Sequence, residues 1–106
     1  MDSVVTALRF FFEHGVDTVL WPNDVASPLG YPCDLKRLPL GDAIRVEIDE
    51  LATRYQSSLN WQDPMAPSPW ATQEREVFNA RSRALLERIR RELPAGWVVE
   101  DRFHPL

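Results

Sequence analysis

Between Val4 and Phe12 the side chains alternate. Leu8, Phe10 and Phe12 fall on one face and Ala7, Arg9 and Phe11 on the other, the period of two that a pleated strand imposes. Three consecutive phenylalanines leave neither face fully polar, so both are expected to be largely covered. Glu13-His14-Gly15 reads as a turn, with Gly15 free to take positive φ. Thr18 to Trp21 reads as a short second strand that Pro22 must end or confine to a sheet edge.

From Pro22 to Pro39 no period is sustained, and four prolines stand at positions 22, 28, 32 and 39. Leu29, Tyr31, Leu35 and Leu38 are too apolar for a disordered linker. They predict an ordered loop pinned to the core, in which proline lowers the entropy lost on folding.

The pattern then turns helical. Leu40, Ile44, Ile48, Leu51, Ala52, Tyr55 and Leu59 form one apolar stripe, predicting a helix over 42–57 with Gly41 or Asp42 as N-cap. Its other face carries Arg45, Glu47, Asp49, Glu50 and Arg54. Asn60 to Trp70 breaks the pattern with three prolines and is bracketed by Trp61 and Trp70. A second helix over 73–92 follows, with the Thr72 hydroxyl as its cap and Glu74 and Glu76 in its first turn. Phe78, Leu85, Leu86, Ile89 and Leu93 form its stripe, with Ser82 in line, and Arg88, Arg90 and Arg91 complement the dipole at its end. Pro94-Ala95-Gly96 stops it, Trp97 to Phe103 reads as a final strand, and His104-Pro105-Leu106 as a mobile tail. The expected fold is α+β: a two-layer sandwich of two amphipathic helices on a small antiparallel sheet, in the order β-β-α-α-β.

Length and composition narrow this further. At 106 residues the chain is one domain, and 44% hydrophobic with 26% charged residues excludes wholesale disorder. No apolar run reaches the roughly 18–20 residues of a membrane-spanning helix. Met1-Asp2-Ser3 lacks the basic start of a secretory signal, so a cytoplasmic protein is expected.

Charge is uneven. Residues 1–70 hold five cations against ten anions, whereas residues 71–106 hold seven against six. The first two-thirds would be repelled by phosphates and acidic lipid headgroups, which argues against nucleic acid and membrane as partners. Arg81, Arg83, Arg88, Arg90 and Arg91 are interleaved with Glu87 and Glu92, a solvated helix face rather than a phosphate track. An acidic surface suits a basic protein, whose approach it would steer.

The search for reactive chemistry excludes more than it finds. Cys33 has no second cysteine, and the adjoining Asp34 disfavours its thiolate. No Gly-x-Ser-x-Gly elbow occurs, and His14 and His104 have no metal-ligand spacing. Ser27-Pro28-Leu29-Gly30 has one glycine and is no phosphate cradle. Glu47, Asp49 and Glu50 lack a glycine-containing calcium loop. No catalytic residue, metal ligand or cofactor is expected. Four tryptophans remain, and a ring of that size either fills a gap in a small core or anchors a partner.

Several segments carry a resemblance. Phe10-Phe11-Phe12-Glu13-His14-Gly15 followed by Leu20-Trp21-Pro22, then Leu38-Pro39-Leu40, are the first. Ser58-Leu59-Asn60-Trp61-Gln62-Asp63-Pro64 with Ser68-Pro69-Trp70, and Glu92-Leu93-Pro94-Ala95-Gly96-Trp97-Val98-Val99, complete them. With these, nearly the whole chain resembles a group of small bacterial proteins of actinobacterial type, and small acidic domains of this kind are often immunity proteins encoded beside a secreted toxin. The shared motifs are packing and turn residues, so the resemblance implies a fold and a protein-binding role but transfers no site residue.

The leading expectation is a non-enzymatic protein-binding module, an immunity or antitoxin-like inhibitor docking on a basic toxin. Glu47, Asp49, Glu50 and Asp63 are its expected charged contacts, with Trp61 and Trp70 as apolar anchors. The alternative is a small-ligand protein or accessory enzyme subunit with an aromatic pocket near Trp21, Tyr31 and Trp61. A third reading is a homodimer through the exposed edge of the small sheet.

Overall fold

The computed structural model describes residues 6–106. Strand β1 (Thr6–Phe10) turns back into β2 (Leu20–Pro22), pairing Leu8 with Pro22 and Phe10 with Leu20 in antiparallel register. Of the strand expected over residues 4–12, Val4 and Val5 lie outside the described residues. Beyond the paired segment the contact continues, since Phe11 N–H donates to Val19 C=O at 3.0 Å. Gly15 takes φ +89° in the turn. Pro22 closes β2 on the sheet edge, where its missing N–H costs nothing.

Helix α1 (Asp42–Gln56) buries Ile44, Ile48, Leu51 and Ala52, and helix α2 (Thr72–Glu92) buries Phe78, Ser82, Leu85, Leu86 and Ile89. They form an antiparallel hairpin. Glu92 at the end of α2 accepts the backbone N–H of Gly41, the N-cap of α1, while the Trp70 indole donates to Ser57 Oγ at 3.0 Å at the other end. The cap of α2 is Ala71, not the expected Thr72. Glu74 reaches back to the Ala71 N–H at 3.4 Å, and the Thr72 hydroxyl instead accepts from Arg75 at 3.2 Å.

Strand β3 (Trp97–Asp101) lies beside β1, giving the order β2-β1-β3. The expected antiparallel sheet is corrected here: β3 runs parallel to β1, with Leu8 opposite Val99, so the sheet is mixed. The reason is the number of reversals. β1, β2, α1, α2 and β3 are joined by connections that each turn the chain back, so the fifth element runs in the direction of the first. Because β2 already holds one edge of β1, β3 takes the other.

The inner face of the sheet presents Leu8, Phe10, Leu20 and Val99 to the helices. Phe12 continues this face and packs on Phe78 at 4.9 Å and Tyr55 at 5.1 Å. On the outer face Phe11 stacks on Trp21 at 4.7 Å, and Arg9 donates to Pro22 C=O and the Tyr31 hydroxyl. The expectation that both faces are largely covered therefore holds at Phe11 and Trp21, but Ala7 and Val98 stay exposed. Of the side chains expected to pin the 22–39 loop, Leu38 is buried and Leu29 and Leu35 pack against the core, whereas Tyr31 is 44% exposed; Cys33 is buried beside them. Gly30 has φ +93°, and a Cβ there would stand 2.9 Å from Pro32 O, so this position needs glycine.

Neither sheet edge is bare. Cys33 N–H donates to Leu20 C=O at 2.9 Å, and the Arg90 guanidinium donates to Val99 C=O at 2.8 and 3.2 Å. In the parallel ladder, Gly96 C=O and Arg102 N–H face β1, so Val99 C=O points away from it. Arg90 therefore occupies the middle of the edge a second strand would need, which weighs against pairing by edge addition. Past β3, the expected mobile tail is tied down: Asn79 accepts from Leu106 N–H at 2.8 Å and donates to its C=O at 2.9 Å.

Candidate functional site

A helix turns about 100° per residue, so Glu47 and Glu50 lie on one flank of α1 while Asp49 points well away from them. The structure uses this division. Arg81 of α2 donates to Glu47 and, at 3.1 Å, to Glu50. Burial opposes the Arg81 charge, yet its hydrogen bonds and attraction to the two carboxylates push its pKa up. Glu47 and Glu50 thus serve as a tie between the helices, and the single acidic face expected from Glu47, Asp49 and Glu50 is not assembled.

Asp49 is exposed on the opposite flank, where α1 faces the turn at Asp17 and the 32–36 segment. There it lines a cleft of about 370 Å³ with Asp17, Thr18, Asp34 and Lys36, over a floor that includes Cys33. The Cys33 side chain is buried, and burial pushes its thiol from 9.0 up to about 11. The thiol is therefore neutral near pH 7. Native protein at pH 8 should resist iodoacetamide, with full alkylation only after unfolding, as mass spectrometry would show; rapid native alkylation would contradict this burial.

A second groove, of about 310 Å³, adjoins the cleft and shares Asp17. Its walls are the 15–17 turn, Thr53 and Gln56 of α1, and Trp61. Gln56 latches these parts together: its carbonyl oxygen accepts Gly15 N–H at 2.6 Å and its amide donates to Val16 C=O at 2.9 Å. Its backbone carbonyl, left without a helical partner at the end of α1, accepts the Trp61 indole N–H at 2.6 Å. His14 stands edge-on to Trp61 at 6.0 Å and stacks on Tyr55 at 4.3 Å. Burial and then the nearby Glu13 carboxylate raise the Tyr55 phenol.

Trp61 is 56% exposed on this platform, held but not covered. Trp70, expected as a second anchor, is 8% exposed and packs on Phe78 at 5.3 Å, with Arg54 above its ring at 5.8 Å. It belongs to the core. Asp63 is exposed in the turn that follows Trp61, and its carboxylate makes no ion pair among the described residues. The structure thus brings Asp49 and Trp61 onto one continuous surface, places Asp63 beside it in sequence, and separates Glu47, Glu50 and Trp70 from it.

The expected aromatic pocket is not formed. Trp21 meets Tyr31 at 5.3 Å on the outer face of the sheet, whereas Trp61 lies at the end of α1 beside His14. A groove of about 470 Å³ near Ala7, Pro28 and Trp97 offers, among the described residues, one carboxylate, Asp24, which is engaged with Ala26 N–H at 2.9 Å. Among the described residues, no three His, Cys, Asp or Glu side chains converge to hold a metal ion, and no helix is long and apolar enough to cross a membrane.

Sequence reasoning missed Asp17, Thr18 and Gln56. Their role comes from contact between the 13–18 turn and α1, about 40 residues apart in the chain. A family model described as Serratia CdiI immunity protein-like matches residues 7–101, which take in all but the first residue of the strands and helices above. Comparison with the curated proteins gives no match.

Proposed function

The chain belongs to the Serratia CdiI immunity protein-like family, and from that membership we propose that it is an immunity protein, a non-enzymatic module that binds and inhibits a toxin protein in the cytoplasm. The observation that carries this reading is a family match extending from the first strand to the last. The Trp61 surface supports it physically. A tryptophan fixed by its own N–H in a groove that Asp17 also lines, next to the cleft that holds Asp49, combines an apolar anchor with long-range attraction for a basic partner. Co-production with the toxin it is proposed to inhibit should restore growth and yield a stable complex on size exclusion. Toxicity unchanged by this chain, with no complex formed, would sink the reading.

Docking at this surface makes a kinetic prediction. Replacing Asp17 and Asp49 with Lys should slow association roughly tenfold at low salt, and the difference should shrink toward ~0.15 M salt, where the Debye length is about 8 Å. Glu47→Gln with Glu50→Gln should leave the on-rate nearly unchanged and cost about 1 kcal/mol of stability, because Arg81 keeps acceptors there but loses both opposite charges. Stopped-flow association rates at two salt concentrations separate these cases. Equal rates for the Asp17/Asp49 variant and wild type would move the docking surface elsewhere.

A further inference from the structure

The hydrogen bond from the Trp61 indole to the Gln56 carbonyl holds one atom of a ring that turns about two torsions. Held at that atom alone, a ring 56% exposed would still swing. A second contact is needed to fix its orientation. Among the described residues, the aromatic group that meets it is His14, edge-on at 6.0 Å.

His14 is itself constrained at its ring face, at Nε2 and at the amide that follows it. The ring stacks on Tyr55 at 4.3 Å. Nε2 lies 3.1 Å from the hydroxyl of Ser58, a buried residue just past α1. That hydroxyl gives its single proton to Tyr55 C=O at 2.6 Å, so toward His14 it can only accept, and Nε2 carries the proton. The next amide, Gly15 N–H, donates to Gln56 Oε1 at 2.6 Å. These supports all come from Tyr55, Gln56 and Ser58, so the end of α1 sets His14 and Trp61 in one frame. A serine–histidine pair is also the pattern of an activated nucleophile, but here the serine is buried and its proton is committed to a carbonyl.

We infer that His14 is a positioning residue for Trp61, holding the indole in one orientation before a partner arrives. The positioning itself rests on the contacts above, while its use by a toxin rests on the immunity reading. Ordering a side chain at an interface costs affinity, and a ring already ordered escapes that cost. Freeing the ring should therefore weaken binding by roughly fivefold, less than removing it altogether.

The test begins with the isolated chain. Nitrogen-15 relaxation of the indole N–H groups reads the mobility of Trp61, whose signal is assigned by its absence in Trp61→Phe. Its order parameter should be about 0.8 in the wild type and below about 0.6 in His14→Ala, with the helix amides unchanged. A histidine that served structure alone would lower the melting temperature and leave the indole rigid. His14→Phe keeps a flat ring against Tyr55 and Trp61, so it should restore the rigid indole and bring toxin affinity within about twofold of wild type. His14→Ala should bind the toxin roughly fivefold more weakly, and that loss should vanish in a Trp61→Ala background, where no ring remains to be positioned. If His14→Ala does not fold, Ser58→Ala removes the tether, keeps the ring and should also mobilise the indole. A mobile wild-type indole, a rigid indole in every folded variant, wild-type affinity in His14→Ala, or no rescue by phenylalanine would overturn the proposal. So would an equal loss with and without Trp61, which would mean that His14 touches the toxin directly. An indole that responds as expected in a chain that forms no complex rejects the immunity reading alone. A complex that forms while the indole ignores His14 rejects the positioning role alone.

Discussion

Phe78→Ala should lower folding stability by about 4 kcal/mol, the middle of the range for truncating a core ring. Phe78 is fully buried on α2, and its ring meets Phe12 at 4.9 Å, Trp70 at 5.3 Å, Tyr55 at 5.8 Å and Phe103 at 6.4 Å. Those four come from the extension of β1, the loop before α2, α1 and the segment after β3, so one truncation loosens every layer. The neighbours are rings, which cannot flow into the space, and the residual cavity adds to the lost transfer energy. Small domains are stable by about 5–15 kcal/mol, so the variant should melt lower by roughly 20 °C. Phe11→Ala makes the internal control. Phe11 stacks on Trp21 at the half-exposed outer face, and its loss should cost about 1–2 kcal/mol. Urea unfolding of both variants checks the order. A Phe78 variant within 1 kcal/mol of wild type would mean that the inner aromatic cluster does not organise this fold.

The helices were legible because their apolar residues recur at three and four, and only one face of each can then be covered. Ile44, Ile48 and Leu51 are buried as that spacing requires. The strands were legible for the same reason at period two, since Leu8, Phe10 and Phe12 all turn inward. Strand direction was not. Alternation tells a residue which face it occupies and says nothing about whether its neighbour runs up or down, so β3 could be placed beside β1 but not oriented. Caps also escaped. The spacing allowed Thr72 to cap α2, but the helix begins one residue earlier because Glu74 satisfies the N–H of Ala71.

The site divides in the same way. That Glu47 and Glu50 share a flank and Asp49 does not follows from helical geometry, but their ion pair with Arg81 spans more than 30 residues and leaves no local trace. Thr18 read as the start of a short strand and Asp17 drew no reading, and their place in a cleft depends on Gln56 latching the preceding turn to α1. The two tryptophans of the 60–70 loop have similar proline-rich surroundings and opposite fates. Trp70 immediately precedes α2 and turns onto Phe78, whereas Trp61 follows α1 and caps an orphan carbonyl with its ring outward.

Those fates give the second large effect, a contrast between Trp61→Ala and Trp70→Ala. Trp61 is 56% exposed in the isolated chain, at the rim of the fold, and is held by one hydrogen bond, so its removal should shift the melting temperature by no more than about 3 °C. Binding to the toxin should weaken by about 2 kcal/mol or more, roughly 30-fold, and the change should fall on the dissociation rate. An indole fixed in advance by the Gln56 carbonyl loses little freedom on docking, which is why the loss should be large for an exposed residue. Trp61→Phe tests that step: it keeps an apolar ring, gives up the N–H, and should recover part of the affinity. Trp70→Ala should do the reverse. It empties a site packed against Phe78 and bonded to Ser57, costing about 3–4 kcal/mol of stability. Any binding it loses should return when the assay is cooled well below its melting point, because the docking surface itself is untouched. If Trp61→Ala binds the toxin with wild-type kinetics while remaining folded, Trp61 is not the anchor and the surface built around it is wrong.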